Sequence, residues 1–163
     1  MRSACLERKT LETGVSVDWC LDGSGACEIS TGIGFFDHML TLLAKHSFSD
    51  LTVQASGDLD VDSHHTVEDC GIVLGQALKQ AVRDKAGIHR YGNCFLPMDE
   101  ALVQVCLDFS GRPYLVFDAD IPKVQLGMYD AEMTEEFFRA VAMNAGLTLH
   151  IRLLYGKNTH HII

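Results

Sequence analysis

Three prolines in 163 residues, one tryptophan and no low-complexity run leave little room for a disordered or fibrous chain. No apolar run approaches the roughly 20 residues that a membrane-spanning helix needs. The opening segment, Met1 to Lys9, lacks the apolar centre of a secretory signal. A cytoplasmic protein is therefore expected. Basic residues are outnumbered 13 to 22, and the net charge of −9 argues against a general binder of nucleic-acid backbones. A small anionic substrate stays compatible, because a few local arginines can outweigh a global charge. The six cysteines contain no Cys-x-x-Cys pair. Cys20, Cys70 and Cys106 lie in apolar segments and read as buried, reduced thiols rather than disulfide or zinc partners. A glycine-rich phosphate loop is missing; Gly156-Lys157-Asn158-Thr159 matches only the tail of one.

What the chain does have is a repeat. Residues 51–67 overlie residues 147–163 without a gap, placing Leu51 on Leu147 and the pair His64-His65 on His160-His161. A single His-His is ordinarily two packing or surface histidines, but recurrence at one register after a strand is hard to obtain by accident. With 47% hydrophobic residues the chain can bury a core, as one domain or two small halves. Alternation predicts strands over 13–21, 27–30, 51–55, 101–109, 114–119 and 147–153. Asp22–Gly25 and Ser110–Pro113 read as turns into return strands. Helices are predicted over 35–44, from Asp62-Ser63 to near Gly87, over 131–144, and beginning near His160. Two tandem strand-strand-helix-strand-helix copies follow, 1–90 and 91–163, an α+β fold. They are expected to share an extended sheet with helices packed on one side, the second copy lacking its last helix.

His64 and Glu68 are four apart on a predicted helix and share a face, a common half-site for a transition metal. His65 points about 100° away and serves something else. His38 offers another imidazole. The simplest arrangement has two metals: one with His38, His64, Glu68 and a His161; the other with His160, a His65 and the counterpart of His38. That counterpart is Glu136, since Asp37-His38-Met39-Leu40 corresponds to Glu135-Glu136-Phe137-Phe138. His150 is the rival candidate. His46 and His89 read as structural.

Four motifs run in order: Gly32-Ile33-Gly34-Phe35-Phe36-Asp37-His38-Met39-Leu40, Asp62-Ser63-His64-His65-Thr66-Val67-Glu68-Asp69, Ser110-Gly111-Arg112-Pro113-Tyr114 and Asn158-Thr159-His160-His161-Ile162-Ile163. Together they resemble imidazoleglycerol-phosphate dehydratase, from about Glu7 to Ile163. The resemblance implies a ribosomal protein S5 domain 2-like fold and a hydro-lyase of histidine biosynthesis, converting imidazole glycerol phosphate to imidazole acetol phosphate. It implies two Mn2+ per active site, ligands drawn from more than one subunit, and a homo-oligomeric shell of octahedral symmetry. It also implies proton transfer by Glu12 and phosphate contacts from Arg90 and Arg112. The remaining expected substrate contacts are His38, His64, His65, Glu68, His160 and His161.

Three departures from the family pattern matter. Family members continue past the second histidine pair with a glutamate ligand and a lysine-bearing helix, often carry histidine at the place of Glu136, and often glutamine at that of Leu42. For a chain ending at Ile163 the expectation is a weak second metal site and little activity. Manganese, iron and zinc all accept these donors. A dinuclear metallohydrolase and a catalytically inert, metal-bridged assembly are the alternatives.

Overall fold

A computed structural model describes residues 1–163. Ser3–Lys9 (β1) pairs antiparallel with Thr13–Cys20 (β2). Thr13, Val15, Val17 and Trp19 alternate inward and are all buried, as a strand with one covered face requires. Cys27–Ser30 (β3) leads through Gly32, at φ 81°, into the helix Gly34–Ser47 (α1). Asp50–Gly57 (β4) follows, then the helix His64–Val82 (α2).

The second half repeats this order. It contains Tyr91–Met98 (β5), Ala101–Asp108 (β6), Tyr114–Asp118 (β7), a short hairpin of Gln125–Leu126 (β8) with Tyr129–Asp130 (β9), Met133–Ala145 (α3), Thr148–Tyr155 (β10) and Thr159–Ile162 (α4). The tandem α+β unit is present, and each copy opens with one strand, β1 or β5, that the sequence reading did not contain. Both are edge strands. β1 carries exposed Glu7, Arg8 and Lys9, and β5 contains Pro97, so neither shows the alternation used to find the others.

Strand order is β1-β2-β4-β3 in one sheet and β5-β6-β10-β7 in the other. Two expectations are corrected here. β3 and β7 are not hairpin returns: each pairs parallel with β4 or β10, which lies between it and its predecessor. In the first half the Asp50 carboxylate explains this, since it accepts the N–H groups of Ser24 and Ala26 at 2.8 and 2.9 Å and so ties the turn to β4. Nor do the halves share one extended sheet. They meet through α2 and α3. At that seam a Cβ on Gly71 would stand 2.9 Å from the Ala140 Cβ, and one on Gly75 2.7 Å from the Val141 carbonyl oxygen. Glycine is needed because the helix backbones come too close for any side chain.

The gapless overlay also shifts. The helices α1 and α3 both end on a left-handed residue, Phe48 and Gly146, and the N–H groups of Ser49 and Leu147 donate to Ala44 and Ala142. Leu51 therefore matches Leu149, not Leu147, while His64-His65 still matches His160-His161. The loop before the second pair is two residues shorter. Of the thiols only Cys70 is buried, which pushes it up to about 12; Cys106 and Cys20 are half-buried, and Cys5 and Cys94 are exposed. No helix is long and apolar enough to cross a membrane.

Candidate active site

Both histidine pairs are placed by the same local device. The Asp62 side chain accepts the N–H of His64 at 2.7 Å, and the Asn158 side chain accepts that of His160 at 3.0 Å. Each satisfies an orphan donor of a helix's first turn, placing the first histidine of its pair at the opening of α2 or one residue into α4. Ser63, expected to share that task, makes no capping bond.

Within each pair the two rings diverge. His64 Nε2 lies 3.8 Å from the Glu68 carboxylate, one helical turn on. His160 instead meets His38 across the two halves, with ring centroids 5.7 Å apart, and packs edge-on against Phe35 at 5.2 Å. Asp37 secures the start of α1 beneath His38 by accepting the N–H and hydroxyl of Thr31 at 2.9 and 2.5 Å. Tyr129 completes this wall, buried and 5.1 Å from Phe35, with its hydroxyl 3.0 Å from that of Thr134. The second histidines face carboxylates: His65 Nδ1 is 2.9 Å from Asp58, and His161 Nδ1 is 2.8 Å from Glu100. The bond His65 donates to Asp58 raises the His65 pKa above its usual value. Glu100 is pulled down to about 2, first by His161 and then by the backbone N–H groups of Asn158 and Lys157.

Glu12 stands in the β1–β2 turn. That turn is built by Thr10, whose hydroxyl accepts the N–H groups of Glu12 and Thr13 at 3.2 and 2.9 Å. Buried Asp69 anchors it to α2, accepting from Arg8 at 3.1 Å and from the Thr13 hydroxyl. The Glu12 carboxylate is exposed, has no hydrogen bond of its own, and adds to the negative field on His65. The match of β1–β2 to β5–β6 places Glu12 on Glu100.

Sequence reasoning put His38 and His160 at different metals, whereas one chain brings these two together. The capping match places Glu136 where α1 carries His38; its carboxylate faces Arg139 at 3.5 Å. His150 lies on the exposed face of β10, in register with Thr52 rather than Gln54. Asp58 and Glu100 were not singled out from the sequence. Aligning the two hairpins would have exposed Glu100 as the partner of Glu12; no sequence signal marks Asp58.

The arginines lie elsewhere. Arg90 donates to both oxygens of Asp108, at 2.7 and 3.0 Å, and sits over the Tyr91 ring. Arg112 makes no ion pair; Asp108 is held low first by the bond from Arg90, with Arg112 and Lys85 adding a little. This cluster is at the Tyr91 end of β5, whereas Glu100 and His161 are at the Met98 end, about 23 Å away at ~3.3 Å per residue. Nor do three or more histidine, cysteine or acidic side chains of one chain close around a common point. Imidazole and carboxylate donors fit a borderline or hard divalent ion in kind. The close approaches of His64 to Glu68 and of His38 to His160 each bring two such donors together.

The family model for imidazoleglycerol-phosphate dehydratase matches residues 31–163. The imidazoleglycerol-phosphate dehydratase of Acetivibrio thermocellus is 63% identical over 158 residues, 97% of this chain and 81% of the relative. That of Symbiobacterium thermophilum is 58% identical, covering 96% and 75%. The crystal structure of the Staphylococcus aureus enzyme superposes with a TM-score of 0.87 at 45% identity, over 98% of this chain and 88% of the other. That of the Pyrococcus furiosus enzyme gives 0.83 at 36%, over 96% and 83%.

Proposed function

The chain belongs to the imidazoleglycerol-phosphate dehydratase family, and from that premise we propose that it dehydrates imidazole glycerol phosphate to imidazole acetol phosphate with the help of two Mn2+ ions. The observation that carries the reading is the doubled arrangement of the histidine pairs. In each, one ring lies beside a second donor, Glu68 or His38, and the other is tied through Nδ1 to a carboxylate.

The ligand set would be His38, His64, His65, Glu68, Glu136, His160 and His161. Bound there, the ions would supply Lewis-acid stabilisation of the negative charge that develops on the substrate, which no side chain could supply at neutral pH. The difficulty they address is a proton on a carbon with no neighbouring carbonyl. Glu12 moves that proton. Its free carboxylate beside His65 suits a group that must meet substrate rather than hold the fold. The phosphate falls to Arg112, which is unpaired, and to Arg90, whose fork Asp108 keeps in place. The ~23 Å between these arginines and His161 favours an active site assembled from several copies, as in the octahedral shell that the family resemblance implies. The phosphorylated imidazole is the expected partner, in the cytoplasm, without nucleic acid or membrane.

The test is turnover of imidazole glycerol phosphate with and without added Mn2+, alongside Glu12→Gln. Product only with metal, and a loss of about 10²–10⁴-fold in kcat for Glu12→Gln, supports the reading. Metal-driven assembly without product leaves an inert shell in its place.

A further inference from the structure

Two carboxylates from unrelated places in the fold do one job. Asp58 comes from the loop after β4, and Glu100 from the turn between β5 and β6. Each meets the Nδ1 atom of the second histidine in its half's pair, at 2.9 and 2.8 Å. An ionised carboxylate can only accept, so Nδ1 carries a proton, and in the neutral ring Nε2 is left to present its lone pair. The Nε2 of His161 is 3.8 Å from Asp99, too long for a hydrogen bond, and is free to bind. Metal-bound histidines usually donate their other ring N–H in this way, which fixes both tautomer and ring direction.

We propose that Asp58 and Glu100 are positioning residues that hold His65 and His161 with Nε2 directed at a divalent cation; this rests on the metal-dependent reading above. The hairpin comparison sharpens it. Glu100 and Glu12 occupy equivalent turns. In the second half that carboxylate is committed to His161 and to the N–H groups of Lys157 and Asn158. In the first half Asp58 holds His65, and the Glu12 carboxylate is released. The duplicated halves thus divide one inherited position into a histidine holder and a free acid or base.

Glu100→Gln separates orientation from folding. The amide keeps an oxygen for the Lys157 and Asn158 N–H groups but sets an NH2 against Nδ1, and two donors cannot pair. The ring must then move its proton to Nε2, the atom the metal needs. Asp58→Asn does the same to His65. The experiment combines ring ¹⁵N NMR of the metal-free chain, at alkaline pH where the imidazoles are neutral, with Mn2+ titration of parent and variants. The parent is expected to show Nδ1–H at His65 and His161. Each variant is expected to show Nε2–H at its own histidine and about 10–100-fold weaker Mn2+ binding. A parent that binds Mn2+ yet carries Nε2–H at these rings, or variants that bind as tightly as the parent, overturns the inference and leaves metal dependence standing. A parent that binds no Mn2+ overturns both. The parent's tautomers decide the matter even where a variant does not fold.

Discussion

The two halves contain the same sheet under different cover. In the first, the 19-residue α2 lies across β1, β2 and β4, and Val15, Val17 and Trp19 are at most 7% exposed. In the second, the equivalent strand positions Val103, Val105 and Leu107 are only half-buried; there α3 packs on β7 and α4 meets β6. Phe95 and Leu96 on β5 are 58% and 60% exposed. Alternation fixes which side of a strand faces inward; the cover packed opposite fixes how much water that side loses. Buried apolar side chains are thus concentrated in the first half, 17 in the core centred there against five in the core of the second, while chemistry-bearing groups are spread over both.

The seam offers the largest effect. Gly75→Val forces a branched side chain against the Val141 carbonyl, and is expected to cost about 3 kcal/mol by overpacking. Urea unfolding checks it; a cost no larger than that of an exposed glycine substitution would mean the halves are not joined there. Next comes the matched pair Val17→Ala and Val105→Ala. The first empties a fully buried site and should cost about 2 kcal/mol; the second should cost less than half as much. Equal losses would break the contrast between the sheets.

A third comparison concerns Arg2 and Arg90, which open equivalent edge strands. Both are clamped by an aspartate, Asp22 or Asp108, and both accept the N–H of the residue after β2 or β6, Leu21 and Phe109. Arg90→Ala should raise KM for the phosphorylated substrate about 10-fold, equivalent to ~1.4 kcal/mol, and Arg2→Ala should leave it unchanged. Equal effects would make Arg90 a structural clamp alone. The smallest effect is the pH dependence of the Arg2 clamp. The hydrogen bond from Arg2 holds the Asp22 carboxyl down to about 2, below its ordinary 3.8. A depressed acid contributes its stability above the unfolded value and loses it as pH falls through the folded one. The small stability difference between parent and Arg2→Ala should therefore be full above about pH 4 and vanish near pH 2 in acid titrations followed by circular dichroism.

Local signals made much of this legible. The helices, the inner strands and the histidine pairs follow from spacing within a few residues, and the family from the four motifs. What escaped was long-range. β1 and β5 are edge strands without alternation, and the parallel pairing of β3 with β4 depends on Asp50, 23 residues beyond Cys27. The approach of His38 to His160 joins α1 of one half to α4 of the other, a contact no local pattern announces. Asp58 acts on a ring seven residues away around a loop whose shape no pattern specifies.

The most direct measurement is the anomalous difference map of crystals grown with Mn2+. Two ions per active site are expected, with His64, His65, His160 and His161 converging on them from more than one copy of the chain, and Nε2 of His65 and His161 as the bound atoms. Turnover with manganese in crystals whose four rings lie far from every ion would contradict this.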